Sequence, residues 1–301
     1  MNIAARLILP LLLLSQLLLP AAEKTKIILI AGHDSHGNGA HEFLAGCTLL
    51  KNKLEEAMGD KLNVVLVEND WPKDESVFDG AAATIIYSDG LGGHPLNKHF
   101  EFMDKLVSKG MGIAFMHFAC DVAPGEKGEL FKKWIGGHYE TRYSTNPHWV
   151  CEAQLKSDHP ICNGCKGFKV KDEWYFNMRW SKTLPHADIL QGVPDDKARS
   201  GKTTHPRGPF KHIVADSGRS ETLLWSVERK DGGRGFGFTG GHFHGNWKND
   251  EYRKLILNAI VWVAKVDVPQ QGVVTKTPTD AEMNYQTKKE RRAKNKKTKK
   301  K

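Results

Sequence analysis

Four short apolar runs set the frame: Lys26–Ala31 (KIILIA), Val64–Val67, Ala83–Tyr87 and Gly112–Met116. A half-solvated strand would alternate apolar and polar residues; these barely do, so both faces of their sheet must be covered. His41–Met58, between the first two, carries apolar residues at helical spacing (Phe43, Leu44, Cys47, Leu50, Leu54, Met58), and further helices are predicted at Leu96–Ser108 and Glu129–Ile135. This β-α-β-α order predicts an α/β fold with a mostly parallel sheet and right-handed crossovers.

The second half is less regular. Short strands are predicted at Trp149–Leu155, Phe168–Val170, Ile189–Leu190, His212–Ala215 and Leu223–Val227, separated by Gly- and Pro-rich connections such as Gly201–Phe210. Gly235–Thr239 reads as a strand, Gly240–Asn249 as a polar loop and Glu251–Val263 as a helix. This closing unit is expected to rejoin the first sheet.

The two ends stand apart from the body. Met1–Ala22 reads as a secretory signal peptide, with Arg6 ahead of the apolar run Leu7–Leu19 and an end at Pro20-Ala21-Ala22. That run is shorter than the roughly 20 residues needed to span a bilayer. A secreted or periplasmic protein is expected, with no transmembrane span after signal removal; an uncleaved interfacial anchor is the rival. At the other end, Lys288–Lys301 holds ten Lys/Arg and one acid, which accounts for the whole net charge of +9 and leaves a near-neutral body. Export and a neutral body argue against nucleic acid as a partner. Residues 269–301 are read as a disordered polybasic tail, since like charges with few apolar side chains cannot offset the entropy of ordering. Its use would be attachment to an anionic envelope surface, or solubility alone. Residues 23–268 are expected to form the one folded domain.

Export makes disulfides available. The five cysteines are Cys47, Cys120, Cys151, Cys162 and Cys165. Cys162-Asn-Gly-Cys165 would serve as a redox pair, half a zinc site or a local staple. With no second such pair to complete a zinc ribbon, a structural bridge, with Cys151 as a further candidate, is the expectation.

Ligands of open parallel sheets bind beyond the carboxyl ends of the strands. His33, Asp34 and His36 follow the first run, Ser88 and Asp89 the third, and His117 the fourth, with Cys120 and Asp121 close behind. Asp172, Glu173 and Tyr175 follow Phe168–Val170, and His242 and His244 follow Gly235–Thr239. Each has an ordinary structural reading: His33 as a turn residue, His117 as a core histidine between Met116 and Phe118, Asp89 as a turn cap beside Gly90. Their convergence on one sheet edge favours a site. Glu173 beside Trp174 and Tyr175 has a setting suited to acid–base work. His242 and His244, two apart, would face one side in an extended chain, suiting metal binding or proton transfer. Cys120 lies too far into its loop, without small flanking residues, to be a nucleophile at a strand-to-helix elbow. The first loop matches neither a dinucleotide fingerprint nor a phosphate-binding loop.

A further set of motifs runs in order along the chain: Ala31-Gly32-His33 with His41-Glu42, Gly110–His117, Gly136-Gly137-His138, Asp158-His159-Pro160-Ile161, Asp172-Glu173-Trp174-Tyr175, and Gly233-Arg234-Gly235-Phe236 leading to Gly240-Gly241-His242. On these residues the chain, over about Lys26–Val268, resembles the trehalose-utilisation (ThuA-like) family. The resemblance implies a three-layer α/β/α fold like that of class I glutamine amidotransferases and a carbohydrate-related role. It also implies that the amidotransferase cysteine is absent, with His117 near its place. His33, His117, Glu173 and His242 are carried over as pocket candidates.

The resulting expectation is an exported enzyme, a hydrolase or lyase, acting on a sugar or an oxidised (keto) glycoside. With a ketone beside the glycosidic carbon, a histidine would remove the acidic α-proton and a histidine would protonate the departing oxygen. A divalent metal such as zinc, held by His33, His242 and His244, would stabilise the enolate. The alternative is a non-catalytic sugar-binding or envelope module that stacks sugars on Trp149, Trp174, Tyr175, Trp180, Trp225 and Trp247.

Overall fold

The computed structural model describes residues 23–155, 158–200 and 207–298. The signal-peptide reading, and most of Gly201–Phe210, lie outside the described residues. The first half forms β1 (Thr25–Ala31), α1 (Phe43–Met58), β2 (Leu62–Val67), β3 (Ala81–Tyr87), α2 (Phe100–Val107), β4 (Gly112–Met116) and α3 (Glu126–Ile135). The second half adds β5 (Gly137–His138), β6 (His148–Leu155), β7 (Phe168–Glu173), β8 (Arg179–Trp180), β9 (Ala187–Gly192), α4 (Lys211–Val214), β10 (Glu221–Glu228) and β11 (Arg234–Phe238). The chain then continues through α5 (Asp250–Val263), α6 (Asp280–Asn284) and α7 (Lys288–Thr298).

One nine-stranded sheet runs β2-β1-β3-β4-β11-β10-β9-β6-β7. Its core, from β2 to β11, is parallel. The strands from β11 through β10, β9 and β6 to β7 pair antiparallel. As expected, the last strand-loop-helix unit returns to the first sheet, with β11 beside β4. The unbroken apolarity of β1 follows from its two covered faces. Ile27, Leu29 and Ala31 enter one core with Leu50 and Leu54 of α1 and Ile256 and Ile260 of α5. Ile28 and Ile30 enter the other, with Met103 and Val107 of α2 and Phe131 and Trp134 of α3. Fully burying each such side chain contributes about 1.5–3 kcal/mol, so two helical layers are held to one sheet. In β6, by contrast, Trp149, Cys151 and Ala153 are buried between exposed neighbours, the alternation of a strand covered on one face.

Three expectations are corrected. His212–Ala215 is not a strand: its residues lie in and just after the short helix α4, and a four-residue apolar run has no periodicity to separate the two states. Among the described residues, which include all five cysteines, no disulfide forms; Cys162 and Cys165 Sγ instead face the carbonyls of Ile189 and Ile161. Finally, the fold does not stop at residue 268. Val273 and Met283 are buried in the α1/α5 core, and Thr279 with Glu282 forms a capping box at the start of α6. Lys288, the first residue of the basic run, is 1 % exposed. Among the described residues no helix is long and apolar enough to cross a membrane.

Candidate functional site

The carboxyl ends of β1, β3, β4, β7 and β11 deliver side chains to one place. His117 follows β4 directly and has a left-handed backbone, φ 57°, which turns its ring across the strand end. His41, just before α1, is also left-handed at φ 48°. Such conformations are costly for residues with a Cβ and cluster at functional sites. The adjoining loops need room as well: a Cβ on Gly32 would lie 2.4 Å from Ser88 Cβ, so the β1 and β3 loops meet only because residue 32 is glycine.

Three imidazoles and a carboxylate face one another there. His117 Nε2 is 3.0 Å from His41 Nε2 and 3.3 Å from His242 Nδ1, and His41 Nε2 is 3.1 Å from His242 Nδ1. Glu173 Oε2 lies 3.2 Å from His242 Nδ1 and 3.5 Å from His117 Nε2, and accepts a hydrogen bond from the Tyr175 hydroxyl. His41, His117 and His242 are buried, whereas the Glu173 side chain keeps 15 % of its surface. Burial, with His41 and His242 adding repulsion, holds His117 well below the ordinary histidine range. Burial likewise lowers His41, although its hydrogen bond to Asp89 works the other way. Asp89 itself is pulled up by burial, but the hydrogen bonds from His41 and Ser35 prevail and hold it low.

Outer contacts fix these rings. His117 Nδ1 donates to the Thr239 carbonyl at 3.1 Å, and His41 Nδ1 donates to Asp89 Oδ1 at 2.8 Å. The buried Asp172 carboxylate accepts from the backbone N–H groups of Gly241, His242 and Phe243 and from the Tyr252 hydroxyl, and so sets the loop that carries His242. On the open side, the exposed His36 ring packs on His41 with centroids 3.7 Å apart, and His148 Nε2 lies 3.7 Å from Glu173 Oε1.

Of the residues expected from sequence, the structure thus brings together His117, Glu173 and His242. His33 is held elsewhere: its Nε2 lies 2.7 Å from Asp70 Oδ2, its side chain is 68 % exposed, and it lines a neighbouring cleft of about 360 Å³ with Trp71, Asp89 and His99. Asp89 is the wall shared by that cleft and the histidine group. His244 turns away, because the chain enters a 3-10 turn at that residue instead of staying extended; its Nε2 donates to the Met283 carbonyl. The set His33, His242 and His244 is therefore not assembled as a metal site. The groups whose donor atoms converge are His41, His117, Glu173 and His242, and the smaller set His36, His41 and Asp89.

His41 and His148 were not singled out as site residues from sequence. His41 lies ten positions past the end of β1, and His148 opens β6; neither directly follows a parallel strand. Cys120 is buried, its Sγ facing the Phe115 and Phe238 carbonyls, and burial pushes its thiol well up. Most of the expected sugar-stacking rings fare no better: Trp149, Trp174, Tyr175, Trp225 and Trp247 are core residues, and Trp180 is partly exposed. A larger cleft, about 890 Å³, opens at the amino ends of β1 and β2, between Lys24, Lys26, Glu55 and Asp79. It lies at the wrong end of the parallel strands and holds no histidine.

A family model described as trehalose utilisation, ThuA, matches residues 35–263. A solved ThuA-like protein from Parabacteroides merdae superposes with a TM-score of 0.55 at 18 % identity, covering 86 % of this chain and 94 % of its own. Another, from Bacteroides uniformis, gives 0.56 at 17 % identity, covering 81 % and 92 %. At such identities the likeness is one of fold. No curated protein matches.

Proposed function

The chain belongs to the trehalose-utilisation (ThuA) family, and on that premise we propose that it is an enzyme acting on a sugar or an oxidised glycoside at the His41–His117–His242–Glu173 group. Family membership supports a carbohydrate-related role. The observation that carries the enzymatic reading is the convergence of three buried imidazoles on one carboxylate at the carboxyl edge of a parallel sheet, an arrangement that is costly to bury.

The chemistry that suits this group is elimination from a 3-keto-glycoside. The carbon between the ketone and the glycosidic carbon carries an acidic proton. An imidazole with solvent access, His148 or His36, takes that proton, and the C–H electron pair forms the enolate. Collapse of the enolate breaks the glycosidic C–O bond, and the imidazolium returns its proton to the departing oxygen, giving an enone and an alcohol; addition of water to the enone completes hydrolysis. The buried group faces the oxygen on which charge develops. His117 stands at the β4 end and Cys120 is buried in the core, which supports a reaction other than glutamine amidotransfer. Under the same reading the protein works in the periplasm or outside the cell, after loss of residues 1–22, and the exposed cations Lys289, Arg292, Lys294 and Lys296 serve an anionic envelope surface.

The alternative of a sugar-binding module that does no chemistry loses most of its support, because five of the six rings it relied on are buried in the core and Trp180 alone of them is partly exposed. Incubating the purified protein with a 3-keto-glycoside separates the two: an enzyme releases the alcohol, and a binding module returns the glycoside unchanged.

A further inference from the structure

We propose that His41 Nε2, His117 Nε2, His242 Nδ1 and Glu173 Oε2 together bind one divalent transition-metal ion of the zinc class. The assignment deepens the functional reading above and rests on it only for the substrate. The site itself stands on tautomers and distances.

A neutral imidazole has one N–H and one lone pair. The Nδ1 of His117 faces a carbonyl oxygen and the Nδ1 of His41 faces a carboxylate oxygen, so each Nδ1 carries the hydrogen. Both Nε2 atoms are then lone-pair donors, yet they lie 3.0 Å apart in a buried site. His242 Nδ1 is within 3.3 Å of both and 3.2 Å from the carboxylate. His242 Nδ1 can carry its hydrogen toward Glu173, and the Tyr175 hydroxyl lies 3.4 Å from His117 Nε2, but the Nε2 lone pairs of His41 and His117 still face each other at 3.0 Å unless one ring takes up a proton. A single cation among the four atoms satisfies all of these donors at once.

The spacing fits. A tetrahedral ion with metal–nitrogen distances of about 2.0–2.1 Å sets its donors about 3.3 Å apart. Five of the six separations in this group run from 3.0 to 3.5 Å, and the sixth, between His41 and Glu173, lies within 4.8 Å. Nitrogen-rich ligation with one carboxylate suits zinc, and also cobalt or iron, over magnesium or calcium. The outer shell has the form that metal-binding histidines require: His41 donates its other nitrogen to Asp89, and His117 donates to the Thr239 carbonyl. Asn146 and His148 contact the second oxygen of Glu173, which leaves Oε2 as the donor toward the histidines and places the solvent-accessible side at that carboxylate. The alternative set of His36, His41 and Asp89 would have to use His41 Nδ1, already hydrogen-bonded to the carboxylate, and an exposed ring.

The test uses the full chain, stripped with EDTA and titrated separately with zinc chloride and cobalt chloride. The expected result is uptake of one equivalent, visible absorption of tetrahedral cobalt(II), and a rise in Tm. His41→Ala and His242→Ala should weaken binding more than 100-fold, and Asp89→Asn about 10–100-fold. His33→Ala and His36→Ala should bind as wild type does. Uptake below about one-tenth of an equivalent by folded wild-type protein, with no cobalt spectrum, overturns the proposal without recourse to variants. So does uptake lost in His36→Ala but kept in His242→Ala. Metal uptake without turnover of a 3-keto-glycoside would refute the functional reading and leave the metal site standing. Turnover with no metal uptake would do the reverse.

Discussion

The Nε2 atoms of His41 and His117, 76 residues apart in the chain, lie 3.0 Å from each other at the carboxyl edge of the sheet. Neither ring is free to avoid the contact. Asp89 holds one and the Thr239 carbonyl the other, and both residues have left-handed backbones that aim them there. The fold maintains this pair against its cost, and the role proposed for it has consequences for residues away from the cluster.

Asp172 is the first. Its carboxylate collects three consecutive backbone N–H groups and the Tyr252 hydroxyl, alongside the Tyr87 hydroxyl and the His41 N–H, which donate to the carbonyls of Gly241 and His242. Asp172→Ala should cost about 2–4 kcal/mol in urea unfolding, because several hydrogen bonds to a buried charge are lost together. Turnover should fall about 10–100-fold, as for loss of an outer partner that orients a site residue. Amide exchange at 241–243 should quicken, and unchanged exchange there would remove Asp172 from this positioning role.

His94 supplies a pH test outside the cluster. Burial drives it down to about 3; its Nε2 donates to the Ala119 carbonyl and its Nδ1 accepts from Leu96 N–H. In the unfolded chain it titrates near 6.5. Because the folded value is the lower one, its neutral form is fully accommodated above the unfolded pKa, and stability is lost as pH falls from about 6.5 toward 3. Measured between pH 8 and pH 4, the unfolding free energy should drop less steeply in His94→Gln than in wild type. Parallel curves would contradict this.

The C-terminal segment is expected to matter for stability. Lys288 N–H donates to Glu42 Oε2 at 2.7 Å, and its ammonium donates to the carbonyls of Ser35 and Ala40. Ending the chain at Thr287 removes the Lys288 N–H from the buried Glu42 carboxylate, which keeps the Gly39 N–H, and removes the ammonium that ties the loop before His41. A loss of about 1–3 kcal/mol is expected, with faster amide exchange over residues 35–40. A truncated protein with unchanged Tm and exchange would show that the segment only rests on the surface.

Cys120 gives the opposite kind of prediction. Cys120→Ala should leave turnover within about twofold and cost about 1 kcal/mol, the scale for removing one buried group from a packed core. In the native protein this thiol should resist alkylation. Lost turnover with a normal fold would return a cysteine to the mechanism.

Much of this was legible in the residues. Uninterrupted apolar runs located β1 through β4, and the strand-end rule found His117 and His242, because a parallel sheet makes chain position equivalent to spatial position. Glu173 was found from its place beside Trp174 and Tyr175. His41 escaped because its loop folds back over the sheet edge, which no local pattern encodes. His33 and His244 were misplaced by the same gap: adjacency to a strand end does not say which way a loop turns. The basic run concealed Lys288, since composition averages over fourteen residues, whereas one buried ammonium bound to three carbonyls depends on the fold around it.

The most direct test of the reaction centre is proton NMR of a 3-keto-glycoside with the protein in D2O. Wild type should exchange the proton between the ketone and the glycosidic carbon and release the alcohol, with His117→Ala and His242→Ala slower by about 10²–10³-fold and His33→Ala near wild type. Exchange and release no faster than in buffer, or undiminished in the His117 and His242 variants, would contradict the assignment of this buried group as the site of the reaction.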